Sequence, residues 1–184
     1  MVSILDLWLP IVLSAVAVFF AGYLLWSLLP WHKKDYGKLP DEEAARDALR
    51  AAPPGAYYVP HAEDPKLLAD PEHRKKWDEG PVGILFMWPK GTPNMGKTLG
   101  LSFAWNVVMA ILVAYVAGRT LEPGTDYLQV FRVVGTVTWL GYGTGMVYES
   151  IWFGRPWKLT GKQLVDALAY ALLTAGFFGW LWPR

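Results

Sequence analysis

Cysteine is absent from the 184 residues, which removes disulfides, thiolate metal sites and a cysteine nucleophile together. An excess of one charge is lacking too. Lys and Arg number 17 against 16 Asp and Glu, and a net charge of +1 gives no electrostatic footprint for nucleic acid. Histidine is scarce: His32, His61 and His73 all fall between the first and second apolar stretches. "HAED" around His61, taken with His73, matches no compact zinc spacing, so the three are read as surface histidines and no metal or cofactor is expected. No repeat period, low-complexity tract or Gly/Ser linker divides the chain. What remains is 53% hydrophobic and 15% aromatic, with 11 Trp, a composition that points to the membrane.

Four stretches are apolar over the roughly 20 residues that a helix needs to cross a bilayer: residues 5–29, 99–118, 128–150 and 163–182. The fold class expected is therefore an all-α integral membrane protein. Residues 1–30 form its first transmembrane helix, residues 31–98 a helical cytoplasmic loop and residues 99–184 a three-helix transmembrane bundle. The first stretch lacks a basic leader and a small-residue cleavage site, so it reads as a retained anchor.

Lys33, Lys34, Lys38, Lys90 and Lys97 flank the long loop, and Arg155, Lys158 and Lys162 the short one, whereas the other side has Arg119, Arg132 and Arg184. The positive-inside bias places both basic loops in the cytoplasm and both termini outside a bacterial inner membrane. Within the long loop, Asp41 is expected to cap one short surface helix. Asp70, Pro71 and Gly80 are expected to start and stop another.

"GTPNMGKT", residues 91–98, fits the phosphate-loop pattern G-x-x-x-x-G-K-[ST] by letter. Such a loop needs a parallel sheet before it and a water-soluble helix after it. Here "GILFMW" offers one strand, and the helix that follows is a bilayer-length apolar run. Nucleotide binding is not expected. The stretch reads as a membrane-entry turn, with Lys90, Gly96 and Lys97 as a candidate contact for a lipid headgroup phosphate.

Ionisable residues inside spans are the usual markers of relays and pathways, and here they lie near span ends. Glu149, Arg155 and Asp166, with Lys162, form a candidate polar cluster at the inner face; Asp6, Arg119, Glu122, Asp126 and Arg132 form a second at the outer face. The deep polar residues are Asn106, Thr138, Tyr142, Thr144 and Thr174, which either hydrogen-bond between helices or line a small polar cavity. Small residues recur at helical spacing, as Ala167, Ala171, Ala175 and Gly179 in the last stretch and Gly141 and Gly145 in the third, and predict close helix packing.

"FGRPWKLTGKQLVDALAYALLTAGFFGWLW", residues 153–182, resembles the C-terminal hairpin of small four-helix bacterial membrane proteins grouped as domain of unknown function seventeen-sixty-one, and "AGYLLWSLLP" in the first span is similar too. The resemblance implies one helix, a loop and three further helices, and brings no catalytic residues with it. The leading expectation is a non-catalytic accessory or structural subunit of a larger, for example energy-transducing, inner-membrane complex, in contact with membrane lipids and with other subunits or copies of itself. The alternatives are a homo-oligomeric small-solute transporter or channel around Asn106, Thr138 and Tyr142, and a membrane-bound enzyme using Glu149, Arg155 and Asp166.

Overall fold

The computed structural model describes residues 1–184 and is mostly helical. It divides into two compact units. The first comprises residues 1–36, 93–150 and 155–184; the second comprises residues 37–92 and 151–154. Residues 31–36, expected in the loop, thus belong with the helices, as do residues 93–98.

In the helical unit, α1 (Trp8–Tyr23) is entered through a 3-10 turn at Ile4–Leu7 and continues into a wider, π-type turn at Leu24–Leu28. α4 (Met95–Thr120) starts three residues before Thr98 because the Asn94 side chain caps it, accepting from the Lys97 N–H at 2.9 Å. The third stretch is not one helix. It breaks at Thr144 into α5 (Tyr127–Gly143) and α6 (Gly145–Trp152), with the Thr144 hydroxyl turned back onto the Leu140 carbonyl at 2.8 Å. α7 (Trp157–Trp180) completes the unit. Two of these helices, Ile4–Leu28 and Met95–Thr120, are long and apolar enough to cross a membrane.

The core of this unit is formed by α1, α4, α5 and α7 around Leu7, Ile11, Val113, Val130, Val134 and Phe178. α5 and α7 approach most closely, and the small-residue stripe explains it. Ala167, Ala171 and Ala175 are all but fully buried. A Cβ on Gly135 of α5 would lie 3.4 Å from the Ala175 methyl, and one on Gly143 3.2 Å from the Ala167 methyl. The partners of the alanine stripe are therefore Gly135 and Gly143. Gly141 faces the Met109 side chain, and a Cβ on Gly145 would meet nothing within 4 Å. Gly179 has the closest neighbour of the stripe, since a Cβ there would fall 2.7 Å from the Tyr127 ring and 3.3 Å from the Tyr127 carbonyl oxygen.

The second unit holds both expected surface helices. They are α2 (Glu42–Leu49), capped by Asp41 accepting from the Ala44 N–H at 2.9 Å, and α3 (Pro71–Glu79), closed by Gly80 at φ 66°. Asp70 stands at the cap position of α3, but its side chain caps nothing. The "GILFMW" strand is present as β2 (Gly83–Met87), and it pairs antiparallel with β1 (Gly55–Val59), Tyr57 opposite Leu85. β1 was not legible as a strand, being five residues with a largely exposed surface. A two-stranded antiparallel ladder is not the parallel sheet that a phosphate loop requires.

Replacing Gly179 by Ala is expected to cost about 1–3 kcal/mol of overpacking, more than the roughly 1 kcal/mol that Ala gains over Gly within a helix. Gly145→Ala, with nothing for the new methyl to meet, should leave stability unchanged or raise it by up to about 1 kcal/mol. Thermal unfolding of the two variants in one detergent checks the difference.

Candidate functional site

Two polar features lie within the helical unit. The first begins where the chain leaves α1. Beyond Leu29 it turns at Pro30, and Trp31, His32 and Asp35 fold back against the first turns of α7. There Lys162 and Asp166, four residues apart and so on one helix face, meet them. His32 Nε2 lies 2.8 Å from Asp166 Oδ2, and His32 Nδ1 lies 2.5 Å from Asp35 Oδ2. The Trp31 indole N–H donates to Asp166 Oδ1 at 2.9 Å. The Lys162 ammonium donates to Asp35 Oδ1 and to the Trp31 carbonyl. It also sits 5.2 Å from the centre of the Trp31 ring. Trp26 covers the assembly, stacked on the imidazole at 3.8 Å with the planes 9° apart.

His32 and Asp166 are 7% and 3% exposed, so this is a buried ionic cluster. The His32 ring lies between the two carboxylates, and the Lys162 ammonium pairs with Asp35. Burial of these polar groups is offset by the filled hydrogen-bond positions. The Lys162 ammonium, and next to it His32, hold the Asp35 carboxyl below the usual carboxylate range.

The second feature is a cavity of about 400 Å³ between α1, α4, α5 and α7. It is walled by Phe19, Trp26, Trp105 and Tyr170, with Asn106 and Tyr142 at its inner end. The Tyr142 hydroxyl donates to Asn106 Oδ1 at 3.0 Å, and the Tyr142 and Tyr170 rings meet edge to face at 5.4 Å. Thr138 is buried beside them and donates to the Val134 carbonyl of its own helix at 2.8 Å. Trp26 is common to both features, one wall of the cavity and the lid of the ionic cluster.

The residues singled out from sequence are distributed as follows. Asp166 is buried in the cluster just described, whereas Glu149 and Arg155 form no salt bridge with it or with each other; between them runs only a backbone bond, Arg155 N–H to Glu149 O at 3.2 Å. Buried Arg155 Nε has no hydrogen-bond partner. Lys90 falls in the second unit and Gly96 and Lys97 in the first, so no shared phosphate contact is defined among them. The Lys97 N–H is taken by Asn94 Oδ1, and the Thr98 N–H and hydroxyl both bond the Asn94 carbonyl at 3.0 and 3.2 Å. The Lys97 and Thr98 N–H groups are thus used by the helix start. At the outer face Asp126 caps α5, accepting from the Leu128 and Gln129 N–H groups.

Sequence reasoning missed His32. It follows Pro30 and precedes two lysines, which gave it the look of a surface loop residue. The available signal was the Trp-His-x-x-Asp spacing directly after a span, facing Lys162 and Asp166 one helical turn apart. His73 is also buried, its Nε2 accepting from the Trp77 indole at 3.1 Å. No three His, Asp or Glu side chains are grouped to hold a metal ion. No family model matches the chain, and no curated protein or solved structure matches it either.

Removing Asp166 leaves the Trp31 indole N–H and His32 Nε2 without their partner, so Asp166→Ala is expected to cost roughly 1–3 kcal/mol for each, read as a fall in melting temperature. Asp35 gives a pH dependence of defined sign. Its carboxyl is lower in the folded chain than the 3.8 of the free group, so its contribution is complete above that value and lost as pH falls through the folded one. Melting temperature should begin to drop as pH falls below about 4, and less steeply in Asp35→Asn.

Proposed function

We propose that the chain is a four-span integral protein of a bacterial inner membrane, with both termini outside, and that it serves as a non-catalytic accessory subunit of a larger complex. The membrane reading is supported by what the helices leave uncovered. In the most apolar 18-residue stretch of each of the two longest apolar helices only 33% and 28% is buried, whereas the core helix of a water-soluble domain is mostly covered. α5 and α7 likewise expose Leu128, Leu140, Leu168, Leu172 and Trp180. Two of the three ionisable residues in the first half of α7, which otherwise weigh against a span, are paired inside the protein, Lys162 with Asp35 and Asp166 with His32.

The observation that carries the subunit reading lies in the second unit. On this topology the unit faces the cytoplasm, yet Phe86 and Trp88 are 68% and 73% exposed, with Leu68 and Val82 also uncovered. Lipid acyl chains are not available to cover such side chains in water, and a protein surface is. The polar cluster meanwhile is internally satisfied, as a structural brace would be.

Gentle detergent extraction followed by native mass measurement tests the reading. A complex of defined stoichiometry with a different polypeptide is expected, and it should be lost from the Phe86→Ser, Trp88→Ser double variant. A lone monomer overturns the subunit role. An assembly of identical chains favours instead a homo-oligomeric transporter or channel.

A further inference from the structure

The cavity beside Asn106 combines features that no packing role uses. Asn106 is 7% exposed. Its carbonyl oxygen is engaged by Tyr142, and its NH₂ group has no hydrogen-bond partner in the chain. That amide group is not among the sealed, unpaired polar atoms of the interior; Asn106 lines the cavity, where an acceptor can reach it. Ser27 and Ser102 line the same space. The walls are flat and aromatic, and no Asp, Glu, Lys, Arg or His is among them.

These features select a ligand. The free donor asks for a carbonyl acceptor. The aromatic walls ask for a flat ring that can pack by its face or edge. The absence of a lining charge disfavours an ion, because a cation drawn to the rings would be stripped of water with no carboxylate to replace it. A volume of about 400 Å³ suits one small ring system. Asn106 lies at the middle of α4, Tyr142 one residue before the end of α5, and Trp26 and Ser27 in the turn that follows α1; with walls this apolar, the ligand must itself be lipid-soluble. We propose that this cavity binds a neutral, flat, carbonyl-bearing ring of the quinone class, with the Asn106 amide as the hydrogen-bond donor and Trp26 and Trp105 as walls.

The full chain in lipid nanodiscs, titrated with menadione while tryptophan emission is followed, tests the site. Saturable quenching is expected. Affinity should fall about tenfold in Asn106→Leu, vanish in Ser102→Trp, which fills the cavity from a side chain that bonds nothing, and stay unchanged in the exposed-site control Tyr148→Phe. Linear quenching that is equal in every variant, the signature of partition into lipid alone, overturns the proposal. So does displacement of menadione by benzyltrimethylammonium, which would mark a cation site. The proposal does not depend on the subunit reading: absence of saturable binding leaves a co-purifying partner untouched, and a lone monomer can still bind the ring.

Discussion

The pairing of buried polar groups in a confined space is the constraint on which the helical unit rests. An aspartate one-third of the way along α7 is tolerable only if its oxygens are partnered, and the partners come from beyond the far end of α1. His32 answers Asp166 and Asp35 at once, Lys162 answers Asp35, and Trp31 supplies the last donor. Removal of any one partner exposes the others to an environment that cannot solvate them. The cluster therefore fixes the rotation of α7 relative to the segment after α1, and the alanine stripe on α7 is brought to face α5 by that same rotation.

The two kinds of contact divide the work between specificity and closeness. Ala167, Ala171 and Ala175 against Gly135 and Gly143 let two backbones approach, which contributes dispersion along the whole length of the pair but tolerates sliding. The polar cluster tolerates none, because a shift of one turn would separate every pair in it. Trp26 joins this locked end to the cavity, so that wall is held by stacking on the His32 ring rather than by loose packing.

Features written in local chemistry were readable from the chain. The Asp41 cap, the Pro71 and Gly80 stops, the apolar length of α4 and the four-residue rhythm of alanines each depend on residues a few positions apart. What failed depended on partners far away. The glycines that receive the alanine stripe are set by how two helices face each other, so Gly135 went unnoticed and Gly145, which carries the right spacing, touches nothing. His32 looked solvated because its neighbours in sequence are prolyl and lysyl, and its burial is decided by α7. Asn94 belongs to no letter pattern, and yet its side chain organises Gly-Lys-Thr into a helix start.

His32 and Asp166 are separated by 134 positions in the chain, and this has a consequence for biosynthesis. The first helix leaves the ribosome long before the last one exists, and until α7 arrives, His32 and Asp35 have neither Asp166 nor Lys162 to meet. During that interval they have no partner on α7 to hold them in place. Only completion of the final helix lets the latch close, so correct assembly of the bundle is registered at its last step, and a chain truncated before α7 cannot imitate the finished one.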